Sequence, residues 1–201
     1  GMVIDLTMCM GCHTCAVACK QANNLPNGVW WNKVYTDGGE ALDTARGTYP
    51  NDLQTTTILS VPCMHASACV AVCPTGASYV RDDGFVAINA EECIGCDSCA
   101  TACPYGVRTL FSEPIEYSVG FPVGDPDAPV HISATMGKCT GCANRIERGA
   151  VPACMDLCPG RARFWGDFDD PESEVSKLIA TREYERLLED AGTEPNVYYL
   201  K

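Results

Sequence analysis

Three features of this sequence predict an α+β fold of short elements wrapped around bound metal. Fifteen cysteines in 201 residues gather into four blocks. A strand–turn–strand signal lies between the second and third blocks. Leu, Ile and Phe are sparse, so an ordinary apolar core would be thin and metal must supply much of the folding free energy.

The first block is Cys9, Cys12, Cys15 and Cys19, and the third is Cys93, Cys96, Cys99 and Cys103. Both read C-x2-C-x2-C-x3-C, the run with which bacterial ferredoxins hold iron–sulfur clusters. The fourth block is stretched: Cys139, Cys142, an eleven-residue insertion, then Cys154 and Cys158. The second is Cys63, Cys69 and Cys73, with Ala66 where a second cysteine should stand. One of the four sites therefore differs from the rest. Three cysteines at three-residue spacing reach three corners of one cubane, while the fourth points away and often ligates the other cluster of a pair. Cys73-Pro74, Cys103-Pro104 and Cys158-Pro159 end three blocks, and proline, lacking an N–H, turns the chain there. Gly11, Gly95 and Gly141 leave room for backbone amides near the sulfurs. A structural zinc site would suit the fourth block alone, but not four such blocks together. The odd cysteine count and tight spacing also disfavour a disulfide framework. Such thiolates oxidise readily, which implies assembly in a reducing or anaerobic setting.

In chain order, residues 2–8 predict a short strand entering the first block. Residues 20–60 form a spacer with Asn-Asn-Leu-Pro-Asn-Gly and Asp-Gly-Gly turn signals. Thr55 to Val61 is rich in β-branched residues and predicts a strand into the second block. Residues 77–80 and 85–88 flank Arg81-Asp82-Asp83-Gly84, a hairpin of the kind a two-cluster ferredoxin needs. Residues 112–136, rich in Pro, Gly and Asp, predict a surface excursion. Arg163 to Gly166 reads as a closing strand. Glu174 to Ala191 predicts a helix with Val175, Leu178, Ile179, Leu187 and Leu188 on its apolar side and Gly192 as its stop. Residues 165–194 hold ten acids and three bases, read first as a solvated face and second as a docking surface.

Net charge is −12, which argues against nucleic acid and against docking on anionic lipid. No stretch approaches the ~18 apolar residues of a membrane span. No signal-peptide pattern precedes Cys9, and Met2 is read as the natural start. Trp30 and Trp31 are expected in the core rather than on an electron path. His13 and His131 have no partner visible in sequence. No nucleophile–base set, phosphate loop or pterin motif is present, which weakens an enzymatic reading.

The sequence resembles the electron-transfer subunit of the dimethyl sulfoxide reductase family, whose members partner molybdenum enzymes. The matching stretches are Cys-Met-Gly-Cys-His-Thr-Cys-Ala-Val-Ala-Cys-Lys (9–20), Val-Pro-Cys-Met-His (61–65), Cys-Val-Ala-Val-Cys-Pro-Thr-Gly-Ala (69–77) and Cys-Ile-Gly-Cys (93–96). Lys-Cys-Thr-Gly-Cys (138–142) and Pro-Ala-Cys-Met-Asp-Leu-Cys-Pro (152–159) continue it, and the likeness spans essentially the whole chain. It implies two ferredoxin-like modules with loop insertions. The first and fourth blocks would form one from residues 2–60 and 105–170, and the second and third blocks the other from 61–104. Residues 171–201 would be an acidic helical tail.

Carried over from the family, Cys9, Cys12 and Cys15 would join Cys158, and Cys139, Cys142 and Cys154 would join Cys19. Cys93, Cys96 and Cys99 would join Cys73. The last site would keep Cys63, Cys69 and Cys103 with no fourth thiolate. There the sequence departs from the family, which has Cys-x-His-Cys, four residues, then Cys. A cubane lacking one ligand tends to lose that iron, so the expectation is three [4Fe–4S] clusters and one [3Fe–4S] cluster. The alternatives are four [4Fe–4S] clusters, one with water, His65 or another non-cysteine ligand, and an empty or rearranged site. A hydrogen-bonding role suits His65 better than ligation.

The implied function is a non-catalytic relay of electrons to or from a molybdopterin catalytic subunit, with room for a membrane anchor subunit. No nucleic acid partner and no direct membrane insertion are expected. The location would be cytoplasmic, or the protein would be exported already folded with a signal-bearing partner. The alternative is a free-standing polyferredoxin serving several soluble partners; the segment after Trp165, extraneous to a bare ferredoxin, favours a dedicated subunit.

Overall fold

The computed structural model describes residues 1–36, 58–111 and 113–201. Its elements are short: β1 (Met2–Asp5), α1 (Thr14–Ala22), β2 (Lys33–Thr36), β3 (Ile58–Val61), α2 (Ala68–Ala71), β4 (Ser78–Val80), β5 (Val86–Ile88) and α3 (Ser98–Thr101). There follow β6 (Thr109–Leu110), β7 (Met136–Gly137), α4 (Ala143–Glu147), α5 (Ala153–Asp156), β8 (Arg163–Trp165), α6 (Glu174–Thr181), β9 (Tyr184–Glu185) and β10 (Val197–Leu200). The predicted hairpin forms as β4 and β5, antiparallel, with Tyr79 opposite Ala87. The Asp-Gly-Gly turn signal at 37–39 and the start of the strand expected from Thr55 lie outside the described residues.

The largest sheet has the order β8-β1-β10-β9. Its central strand β1 runs antiparallel to β8 and parallel to β10, with Ile4 opposite Arg163 on one side and Tyr199 on the other. Strand periodicity divides its side chains between two cores. Met2, Ile4, Val197, Tyr199 and Trp165 face a core that also contains Cys15, Cys63 and Cys154. Val3, Leu200, Phe164 and Tyr198 face the other way, onto Val175, Leu178 and Ile179 of α6. The sheet is thus a wall with the cysteines on one side and a helix on the other.

The last thirty residues begin as the expected helix and continue in strands, which corrects only the helix's length. The helix starts as the sequence suggests, with the Ser173 hydroxyl accepting from the Ser176 amide and Glu174 in the first turn. It ends at Thr181, not Ala191. Arg182 turns extended (φ −125°, ψ 152°) and its guanidinium reaches Asp5. Leu188, expected on the apolar side, is exposed in a left-handed conformation. The chain then returns as β10, whose Val-Tyr-Tyr-Leu places two side chains on each face of the sheet. The tail is part of the core.

Asp5 locks this arrangement where the first cysteine loop begins. Its carboxylate accepts from the Thr7 amide (2.9 Å) and hydroxyl (2.6 Å) and pairs with Arg182, while its carbonyl accepts from the amides of Met8 and Cys9. Burial alone would raise its pKa, but Arg182 and Thr7 hold it below the ordinary 3.8. The sign follows: the pair stabilises the fold fully above that ordinary value and loses its effect only as pH falls through the lower folded one. Asp5→Asn is expected to cost about 1–3 kcal/mol, because the partner is one-third exposed. Anaerobic thermal unfolding should show a gap from wild type that is the same at pH 7 and pH 6. A variant as stable as wild type would remove Asp5 from this role.

Candidate metal centre

The same local geometry recurs at the start of each cysteine block. Two residues after the leading cysteine the backbone is left-handed: Gly11 (φ 66°), His65 (φ 51°), Gly95 (φ 64°) and Gly141 (φ 67°). This turn lets the chain curl back, and the amides of His65 and Gly141 donate to Cys63 Sγ and Cys139 Sγ, each at 3.4 Å. A second left-handed residue, His13, Asp97 or Cys142, then opens α1, α3 and α4. The second block lacks it: Ser67, which opens α2, has φ −86°. The backbone therefore departs from the first and third loops just after the position where Ala66 replaces a cysteine.

The short helices point the later cysteines inward. Cys15 and Cys19 lie on α1, Cys69 on α2, Cys99 on α3 and Cys154 on α5, and all five are buried. Four sets of sulfurs result. Cys9 faces Cys15 and Cys158, with Cys12 exposed on the same loop. Cys19 faces Cys139, Cys142 and Cys154. Cys73, Cys93, Cys96 and Cys99 line one small cavity. Cys63, Cys69 and Cys103 line another, together with His65, Ala66 and Arg108.

The sets form a file. Cys154 faces Cys15, joining the first set to the second. Cys139 faces Cys63, joining the second to the Ala66 cavity. Arg108 faces Cys69 and Cys99, joining that cavity to the last set. Cys12 and Cys96, in the two end sets, are the exposed cysteines.

Further donors aim at the sulfurs. The amides of Ser78, Met136 and Ala162 reach Cys73, Cys93 and Cys158 at 3.4 Å each. Burial opposes ionisation of Cys73, but Ser78 and Thr75 bring its thiol down to about 7. In the second set burial dominates, helped by neighbouring thiolates: Cys139 is pushed up to about 12 and Cys19 well above the usual range. Loading metal there must release protons.

The donor set fits a polynuclear iron–sulfur group better than single ions. Around one tetrahedral zinc, thiolates 2.3 Å from the metal lie about 3.8 Å from one another. Among the described residues no three His, Cys, Asp or Glu side chains gather tightly enough to hold one ion. Fifteen thiolates at ferredoxin-like spacing suit iron–sulfur groups.

His65 is fully buried, its ring edge-on to Phe85 at 4.3 Å, and Phe85 in turn packs on Trp165. Neither ring nitrogen has a hydrogen-bond partner of normal geometry. Trp31 is buried against His131, as expected for core, but Trp30 is half-exposed beneath Lys20 Nζ. His131 does have a polar partner, the Asn23 carbonyl at 2.8 Å. Motifs alone miss three buried cations beside the cysteines, Arg108, Lys138 and Arg163. The available signal is a base within or next to a cysteine block with no acid beside it.

Two family models described as 4Fe-4S dicluster domains match residues 62–107 and 128–168. The chain is 42% identical over 207 residues to a protein of Halobacterium salinarum named as a dimethyl sulfoxide reductase iron–sulfur subunit, covering 100% of this chain and 78% of the relative. It is 41% identical to a selenate reductase subunit of Mesobacillus selenatarsenatis, covering 99% and 70%. It is 37% identical to an arsenate respiratory reductase iron–sulfur subunit of a Shewanella species, covering 100% and 95%. With its whole length matched and its cysteines gathered as a cluster-binding set, the chain belongs to the iron–sulfur electron-transfer subunits of the dimethyl sulfoxide reductase family.

Proposed function

We propose that this chain relays electrons to or from a molybdopterin-containing catalytic subunit through four clusters, one per cysteine set. The observation that supports it is the file of four sets, each drawing cysteines from two blocks, with exposed cysteines at the ends. Cys9, Cys12, Cys15 and Cys158 would hold the first cluster, and Cys19, Cys139, Cys142 and Cys154 the second. Cys63, Cys69 and Cys103 would hold the third, and Cys73, Cys93, Cys96 and Cys99 the fourth. The reading makes the first two sets one module and the last two the other. When bound, each cluster supplies a site that takes up and gives back an electron. The chain's part is to hold the thiolates, aim amides at them and keep water from the two middle sets.

We further propose three [4Fe–4S] clusters and a [3Fe–4S] cluster at the Ala66 site. Relatives named as subunits of dimethyl sulfoxide, selenate and arsenate reductases support a reductase complex as the setting. Among the described residues no helix is long and apolar enough to cross a membrane.

Anaerobic purification from the native cell tests this reading. Iron and acid-labile sulfide in near-equal amounts, without zinc, are expected, together with a co-purifying molybdenum protein. Stoichiometric zinc without sulfide would end the cluster reading. A chain isolated alone that reduces several soluble acceptors equally well would favour a free-standing polyferredoxin.

A further inference from the structure

A buried charge is costly unless an opposite charge and hydrogen bonds meet it. Arg163, Lys138 and Arg108 are all more than nine-tenths buried. Among the described residues none of them has a carboxylate within 4.0 Å, whereas Arg81, Arg145, Arg148, Lys177, Arg182, Arg186 and Lys201 all do. Apart from the imidazole of His65, kept neutral by burial, and the hydroxyl of Tyr199, the titratable groups that face the three are cysteines from neighbouring sets. Arg163 donates to Cys154 Sγ at 3.5 Å and also faces Cys15 and Cys158. Its other contacts are neutral: Ser60, Asn32 Oδ1 and Met2 Sδ. Tyr199 faces it too, but donates its hydroxyl proton to the Ser60 carbonyl at 2.8 Å and is no counter-ion. Arg108 donates to Cys69 Sγ at 2.8 Å and to Ser78 Oγ at 2.9 Å, and faces Cys99 and Cys63. Lys138 donates to the carbonyls of Cys139 (2.7 Å) and Val86, and faces the sulfurs of Cys139 and Cys69.

We propose that Arg163, Lys138 and Arg108 are three fixed positive charges, one in each gap of the file of cysteine sets, that offset the charge of the clusters and set their reduction potentials. The inference rests on the four-cluster reading. Each added electron makes a cluster and its thiolates more negative by one. A cation held at a sulfur in low dielectric stabilises that reduced form more than the oxidised one, so it raises the potential of the clusters on either side. Because each cation faces two sets, it ties the potentials of neighbours together. Two of the three are arginine, which stays charged when buried and reaches two partners with one planar fork.

The test compares charge-removing with charge-keeping variants in the anaerobically purified protein, by redox titration followed with electron paramagnetic resonance. R108Q keeps a donor toward Ser78 but loses the charge. It should lower the potentials of the two clusters flanking position 108 by at least tenfold in the one-electron equilibrium, about 59 mV. The cluster of Cys9, Cys12, Cys15 and Cys158 should not move, and R108K should stay near wild type. R163Q should give the mirror pattern at the other end. Iron and sulfide counts of the wild type report on the four-cluster reading separately. Fully loaded variants with unchanged potentials would overturn the proposal, as would equal shifts in all four clusters or in R108K and R108Q alike. If R108Q loses iron while R108K keeps it, charge compensation is supported; loss from both overturns it.

Discussion

Stripping iron from the protein with an anaerobic chelator will collapse most of its secondary structure. Among the described residues, four of five apolar clusters are partly made of cysteine: Cys15, Cys63 and Cys154 in the largest, Cys19 in the second, Cys69 and Cys99 in the third, Cys142 in the fifth. The cluster without cysteine is the small layer of Val3, Val175 and Leu200 between sheet and α6. Helices α2, α3 and α5 have four residues each, far below the ~12 residues at which an isolated helix becomes even marginal. Once the metal leaves, burial favours neutral thiols at Cys19, Cys139, Cys142 and Cys154. Burial acts the same way on Cys69, so Arg163, Lys138 and Arg108 lose the anionic form of Cys154, Cys139 and Cys69 beside them. An uncompensated buried charge costs about 3–5 kcal/mol, and three of them match the whole ~5–15 kcal/mol stability of a typical domain. Far-ultraviolet circular dichroism before and after complete iron loss checks this. A spectrum that does not change would show that the polypeptide core stands without its clusters.

What the sequence reveals and what it hides follow from how local each signal is. Strands β1 and β8 and the β4–β5 hairpin are written in a few adjacent residues, and each forms where expected. Helix α1 overlaps the first cysteine block, where ligand spacing hides the helical pattern of Ala16, Ala18 and Cys19. The tail is harder to read. Leu187 and Leu188 look like a further apolar pair after Leu178 and Ile179, yet Arg182 leaves the helix to meet Asp5, 177 residues earlier. Strand β10 is an ordinary β-rich run by itself, and only its partner β1 shows that it lies in the middle of a sheet. The three buried cations are invisible for the same reason: a lone Arg or Lys shows its meaning only when the cysteines around it come from different blocks.

Restoring the missing cysteine with Ala66→Cys should convert the odd centre. Ala66 stands at the second ligand position of its loop and lines the same cavity as Cys63, Cys69 and Cys103. The loop still makes its first left-handed turn at His65, so the backbone before position 66 resembles its sister loops. No other sulfur from 64 to 68 substitutes: Met64 is a neutral thioether, fully buried and touched by the Tyr199 hydroxyl at 3.9 Å. The His65 ring is held edge-on to Phe85. With three thiolates the site is expected to hold [3Fe–4S], at a potential above those of its neighbours, and so to act as an electron sink inside the file. Electron paramagnetic resonance of the mildly oxidised, air-protected protein should show a [3Fe–4S] signal that disappears on reduction. In Ala66→Cys that signal should be lost and a [4Fe–4S] signal gained on reduction. The left-handed turn that Asp97 supplies in the third block is absent at Ser67, so the new thiol must reach the cavity from a slightly different backbone. Partial conversion, completed by adding iron, is the signature of that strain. Four [4Fe–4S] centres from the start, untouched by Ala66→Cys, would mean that a non-cysteine ligand already holds the fourth iron. In that case His65→Ala is the substitution that decides whether the ligand is the buried imidazole.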